Sequence, residues 1–76
     1  MSQIKPLEFE ETKESIVAKN NIGTFRSDYQ QWSNRWRSVV SDLVRSYQIE
    51  LWQNDLESAK KWLNEENKKL VETLLK

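Results

Sequence analysis

The sequence predicts an all-α fold, in which a short N-terminal helix precedes a long antiparallel helical hairpin that dimerises into a helical bundle. Two observations favour this architecture. The 76 residues include a single Gly and a single Pro, so the chain has few natural break points. The large apolar residues between 25 and 43 follow one another at alternating steps of four and three, which is the spacing of a coiled-coil seam.

The N-terminal region is predicted in two parts. Residues 1–11 mix apolar and acidic side chains, and they form either an N-terminal arm or the start of helix one. Helix one itself is expected over 12–20, among good helix formers. Asn20, Asn21 and Gly23 then act as a stop, because Asn and Gly tolerate the left-handed conformation at a helix end.

The second helix is expected over 25–52. Thr24 or Ser27 can cap its first turn, because a hydroxyl accepts a hydrogen bond from a free backbone amide. The heptad positions are Phe25, Tyr29, Trp32, Trp36, Val39 and Leu43.

A third helix is expected over 56–75, because the apolar side chains after Leu51 fall on nearly the opposite side of a helical wheel. Either the chain turns near 53–55, or one very long helix serves two partners. Asn54 with Glu57 three residues later resembles a capping box, which favours the turn. Residues 12–76 are therefore expected to form a single all-helical domain.

Composition excludes several kinds of chemistry. The chain has no His and no Cys, so zinc sites of the usual kind, thiol catalysis and disulfides are absent. One Gly cannot build a glycine-rich phosphate loop. We therefore expect no catalytic residues, no cofactor and no metal, and a protein that is not an enzyme.

Charge and hydropathy indicate the setting in which the protein acts. Twelve basic residues balance twelve acidic ones, which disfavours a nucleic-acid partner, since phosphate backbones need clustered positive charge. No signal peptide and no apolar run of about 20 residues is visible. A cytoplasmic protein with no membrane contact is expected.

The most distinctive feature is a concentration of Trp and Arg. The chain has four Trp, and all four Arg lie between residues 26 and 45. One interpretation is structural, because aromatic residues at heptad spacing commonly build a core. The other is an interface, because Trp, Tyr and Arg are enriched at binding hot spots. The predicted contact residues are Tyr29, Trp32, Arg35, Trp36 and Arg37.

These observations lead to a ranked set of functions. The leading hypothesis is a small non-enzymatic adaptor or regulator that binds another protein, acidic at the contact, through an aromatic and Arg-rich helix. The alternative is a structural homo-oligomer or a subunit of a larger assembly, since chains of this size often need a partner to bury enough apolar surface. Nucleic-acid binding ranks third. No motif is specific enough to assign a family.

Overall fold

The computed structural model describes residues 7–44 and 46–74. Within this part of the chain, five strands form one antiparallel sheet whose spatial order is the order of the sequence, and one helix follows. The strands are β1 (Glu10–Glu11), β2 (Ser15–Lys19), β3 (Gly23–Gln30), β4 (Arg35–Asp42) and β5 (Tyr47–Gln53), and the helix is α1 (Leu56–Leu74).

The β2–β3 connection is a tight turn organised by Asn20. Its Oδ1 accepts hydrogen bonds from the backbone amides of Ile22 and Gly23, at 3.0 and 2.9 Å. Side-chain bonding of this kind is why Asn favours turns. Position 23 leaves no room for a side chain, because a Cβ there would lie 2.9 Å from the backbone oxygen of Ser41 on β4. The residues predicted to stop a helix therefore close a hairpin.

The β3–β4 and β4–β5 loops are similar in their described residues. Each has four residues and ends in a left-handed residue, Asn34 with φ 56° and Ser46 with φ 57°. The amides of these two residues donate to the carbonyls of Gln30 and Asp42, both at 2.9 Å. Four-residue loops of this kind join antiparallel strands without requiring Gly.

Helix α1 covers one face of the sheet and lies across β3, β4 and β5. Its first turn is capped by Asp55, whose Oδ1 accepts from the Ser58 amide at 2.7 Å. The expected cap, Asn54 with Glu57, is therefore wrong by one residue. The buried apolar core between sheet and helix consists of Ile16, Ala18, Phe25, Val40, Leu63 and Leu70.

Two amide side chains on α1 form hydrogen bonds with the N-terminal half of the chain. Asn64 Oδ1 accepts from the Leu7 amide at 2.8 Å, and Asn67 Oδ1 accepts from Asn20 Nδ2 at the same distance. These contacts join segments more than 45 residues apart in sequence. Such side chains at the edge of the helix interface therefore fix the position of the helix relative to the β2–β3 turn.

The all-α prediction is wrong, and with it the helical bundle and the coiled coil. The segment predicted as helix one contains β2, and the segment predicted as the long second helix contains β4 and most of β3 and β5. The heptad spacing is coincidental, because burial within β4 alternates with period two: Trp36, Ser38 and Val40 point toward the helix, while Arg35 and Arg37 point away. Polar residues at inward positions conceal that alternation in the sequence.

The two ends of the chain complete the comparison with prediction. Residues 1–6 lie outside the described residues, whereas Glu10–Glu11 form a strand and not the start of a helix. Helix α1 coincides with the third predicted helix except at residue 75, which also lies outside them. In the described part of the chain, no helix has the length and apolar character needed to cross a membrane.

Candidate protein-binding face

The sheet has one face that no described helix or strand covers. Side chains alternate between the two faces along each strand, so the strand register assigns every residue to one of them. We call the side away from α1 the open face. Its side chains from the three longest strands include Arg26, Asp28, Arg35, Arg37, Val39, Ser41, Gln48, Glu50 and Trp52.

Two tryptophans form the apolar part of the open face. Trp32 lies in the β3–β4 loop and packs edge-on against Trp52 of β5, with ring centroids 5.5 Å apart and planes at 69°. Trp32 is 78% exposed, the most exposed large apolar residue described. A ring this exposed adds little to the stability of the fold, so its large apolar area is available to a partner.

An ion pair borders the aromatic pair. Arg37 Nη2 donates to Glu50 Oε2 at 3.0 Å, and Trp52 Nε1 donates to the other oxygen of Glu50 at 2.9 Å. The hydrogen bond from Arg37 lowers the pKa of Glu50, and the same contact raises the pKa of Arg37. Glu50 therefore orients the Trp52 ring and the Arg37 guanidinium on the same surface.

The remaining arginines of the open face differ in their pairing. Arg26 Nε donates to Asp28 Oδ2 at 2.7 Å, and this hydrogen bond raises the pKa of Arg26. Arg35 is exposed and forms no ion pair with a described residue. Arg45 lies outside the described residues. Arg35 is thus the described guanidinium on this face that no carboxylate holds in an ion pair.

The structure divides the predicted contact residues between the two faces. Trp32, Arg35 and Arg37 belong to the open face, whereas Tyr29 and Trp36 point toward the helix side. The expectation that these residues lie on a helix is wrong, and they fall on two faces because successive residues of a strand point to opposite sides of the sheet.

Tyr29 and Trp36 form a cross-strand pair on the helix side. Their ring centroids are 5.5 Å apart, and the Tyr29 hydroxyl donates to Asn34 Oδ1 at 2.9 Å in the β3–β4 loop. Both residues are half-buried. This pair supports the loop that presents Trp32 and is not itself on the open face.

Sequence reasoning missed Trp52 and Glu50. A helical wheel groups Trp52 with the apolar residues of α1, which assigns it to a different surface from Trp32. The spacing of Gln48, Glu50 and Trp52 at every second residue, among residues with high strand propensity, is the signal that places them together on one face of a strand.

The open face offers apolar contact area and charged side chains. Among the described residues, no group of three or more His, Cys, Asp or Glu is arranged to hold a metal ion. No protein-family model, curated protein or solved structure matches the chain. The geometry of the open face is therefore the basis for assigning a function.

Proposed function

We propose that this protein is a small non-enzymatic binding module, an adaptor or regulator, that docks on another protein through the open face of its sheet. One observation carries the proposal: the 78% exposed Trp32 packed on Trp52 on a face that no described element covers. Trp32, Trp52, Arg35 and Arg37 are the proposed contact residues. Tyr29 and Trp36 act indirectly by supporting the loop.

The composition of this surface supports a protein partner. Trp and Arg are the residues most enriched at protein hot spots, because they combine large contact area with directional polar groups. The tryptophans are held in place by their contact with each other and by Glu50, so little conformational entropy is lost on binding. A rigid aromatic centre with a charged border is the usual anatomy of such an interface.

The charges support an acidic contact on that partner and not a nucleic acid. Among the described residues, Arg26 and Arg37 are already paired with Asp28 and Glu50, which leaves Arg35 as the unpaired guanidinium of the open face. A single guanidinium can form a bidentate contact with a carboxylate. It cannot provide the clustered charge on which affinity for a phosphate backbone depends.

The test compares three baits. Wild-type protein, Trp32→Ala and Lys61→Ala are immobilised and exposed to a lysate of the native cell, and retained proteins are quantified by mass spectrometry. Lys61 is the matched control, because it is exposed on the outer side of α1. A partner retained by wild type and Lys61→Ala is then purified and titrated against each variant. We expect Trp32→Ala to raise its Kd about 30-fold, the size of a hot-spot effect.

Substitutions at Arg35 form the second part of the test. Arg35→Glu reverses the charge and should weaken the same complex more than Arg35→Lys does, because Lys keeps the charge but loses the bidentate geometry. Equal retention by all baits contradicts the proposal. Salt-sensitive binding of single-stranded oligonucleotides that Trp32→Ala abolishes assigns the open face to nucleic acid instead.

The proposal includes a cytoplasmic location. A chain without Cys needs no oxidising compartment to fold, since it forms no disulfides. Fluorescence microscopy of the tagged full chain in its native cell tests this part. A signal confined to the envelope or the medium contradicts it.

A further inference from the structure

Strand β5 presents an edge that lacks the usual protection against pairing. It has seven residues, YQIELWQ, and it is the last strand of the described sheet, where it pairs with β4. Edge strands are commonly blocked by Lys, Pro, a bulge or short length. β5 has no Lys or Pro, and its one charged residue, Glu50, is directed onto the open face and held by Arg37 and Trp52.

The same edge exposes apolar side chains on the helix side of the sheet. Tyr47 is 42% exposed and Leu51 is 46% exposed, and the half-buried Ile49 lies between them. A cleft of about 240 Å³ separates this edge from the C-terminal half of α1 and is lined in part by Tyr47, Ile49 and Leu70. This volume is far more than one water needs, so the cleft has room for a side chain.

We propose that β5 is a homodimer interface, in which two copies of the chain pair their β5 strands antiparallel about a two-fold axis through Ile49. In this register Ile49 lies opposite its own counterpart, and Tyr47 lies opposite Leu51 of the second copy. On the open face, Gln48 lies opposite Glu50 of the second copy, where its amide can donate to the carboxylate. Each strand supplies the surface that the other needs, as a two-fold interface requires.

The charge of Glu50 selects this register over its neighbour. Moving the axis by one residue, from Ile49 to Glu50, places two Glu50 carboxylates directly opposite each other, and like charges in a cross-strand pair are destabilising. The axis at Ile49 instead places Leu51 of the second copy beside Tyr47, at the cleft next to α1. The partner therefore covers the exposed side chain of Tyr47 and the half-buried Ile49, at a cleft whose other side is lined by Glu66, Lys69 and Leu70 of α1.

The dimer would be a continuous ten-strand sheet with both helices on one side. The two-fold axis is perpendicular to the sheet, so the two open faces also become contiguous. This inference does not depend on the proposed function, because it uses the edge of the sheet and not its open face. It replaces the helical bundle expected from the sequence with a different dimer.

The first test measures molar mass by light scattering over a dilution series. We expect the wild-type chain, 9.1 kDa as a monomer, to have twice that mass, and Leu51→Lys to reduce it to that of one chain. Trp32→Lys is the matched control, because it replaces a more exposed apolar residue that lies in the β3–β4 loop, on the open face and not on the helix side where Leu51 lies. Retention of the helix signal in circular dichroism verifies that each variant is folded.

The second test locates the axis by single-cysteine crosslinking, which is unambiguous because the chain has no Cys. We expect oxidation to link Ile49→Cys at least about tenfold faster than Gln48→Cys, Glu50→Cys or the helix-surface control Lys61→Cys, since a disulfide needs Cβ atoms about 4 Å apart.

The outcomes separate the two proposals. A monomeric wild type at high micromolar concentration, or a Leu51→Lys protein that stays dimeric, overturns the β5 interface. Faster linking of Glu50→Cys or Gln48→Cys overturns the register. Loss of partner binding in Trp32→Lys with an unchanged mass leaves the dimer intact and supports the open face independently.

Discussion

The two faces of the sheet are built from the same strands but differ in how deeply their side chains are buried. On the helix side, Phe25 and Val40 are almost fully buried against α1. On the open side, Val39 and Trp52 are half-buried and Trp32 is 78% exposed. The first face therefore carries most of the free energy of folding, and the second is free to accept substitutions that change binding. Paired substitutions at neighbouring positions of β4 test this division directly.

The largest effect is expected from Phe25, the largest fully buried side chain. Phe25→Ala removes a ring from the centre of the core, which costs about 3–5 kcal/mol. A domain of this size has a free energy of unfolding of about 4–11 kcal/mol, so the variant should be partly unfolded. Urea denaturation followed by circular dichroism measures the change. A loss below about 1 kcal/mol contradicts the assignment of Phe25 to the core.

Adjacent valines give the sharpest comparison of the two faces. Val40 is 2% exposed beneath the helix, and Val39 is half-buried on the open face. We expect Val40→Ala to cost about 2–3 kcal/mol, because it removes two buried methyl groups and leaves a cavity. Val39→Ala should cost about 1 kcal/mol or less. Equal losses in thermal denaturation show that something covers the open face.

Serines on β4 extend the comparison to polar groups. Ser38 is fully buried, and its hydroxyl lies 3.0 Å from that of Ser27 and donates to Gln53 Oε1. Gln53 Nε2 has no hydrogen-bond partner among the described residues. Ser38→Ala leaves the Gln53 amide with both ends unsatisfied, which should cost about 1–3 kcal/mol.

Two further variants examine that result. Ser41→Ala, on the open face, removes an acceptor for Gln48 and should change stability by less than about 0.5 kcal/mol. Adding Gln53→Leu to Ser38→Ala should restore part of the loss, because an apolar pair needs no partners. A double variant less stable than Ser38→Ala shows that Gln53 has a partner beyond the described residues.

The smallest effect is a pH dependence at the start of α1. The Asp55 carboxylate accepts from the Ser58 amide, which lowers its pKa. Its contribution is therefore fully present above the unfolded-state pKa and disappears as pH falls through the lower folded-state value. Asp55→Ala should lower Tm by a few degrees at neutral pH and by almost nothing in strong acid. Asp55→Asn keeps the acceptor and should retain most of the Tm without this pH dependence.

Helix α1 can be predicted from the sequence for a physical reason. Ala59, Leu63 and Leu70 recur at helical spacing and are all buried, so α1 follows from a pattern of period 3.6. The strands do not follow from a sequence pattern in the same way, because the inward-facing residues Ser27 and Ser38 are polar. A regular alternation of apolar and polar residues, which is the main sequence signal for a strand, is therefore missing.

Composition alone selects candidate contact residues but does not show how they lie in space. Trp, Tyr and Arg favour interfaces on any backbone, which is the reason for predicting Tyr29, Trp32, Arg35, Trp36 and Arg37, and the structure brings Trp32, Arg35 and Arg37 to one face. Trp32 can contact Trp52 only if β3, β4 and β5 lie side by side. A separation of 20 residues in the sequence does not by itself indicate that contact. The high strand propensity of Phe25, Val39 and Val40 indicates strands, but the coincidental heptad spacing of the same region indicates a helix.

The order of the strands also has a kinetic consequence. Each strand pairs with its neighbour in sequence, so the whole sheet can assemble by successive local hairpin closures. The contacts from Leu7 to Asn64 and from Asn20 to Asn67 span 57 and 47 residues, so each of them closes a long loop. Docking of α1 is therefore expected to be the slow step of folding. Substitutions at Asn64 and Asn67 should change the refolding rate more than substitutions in the hairpin loops.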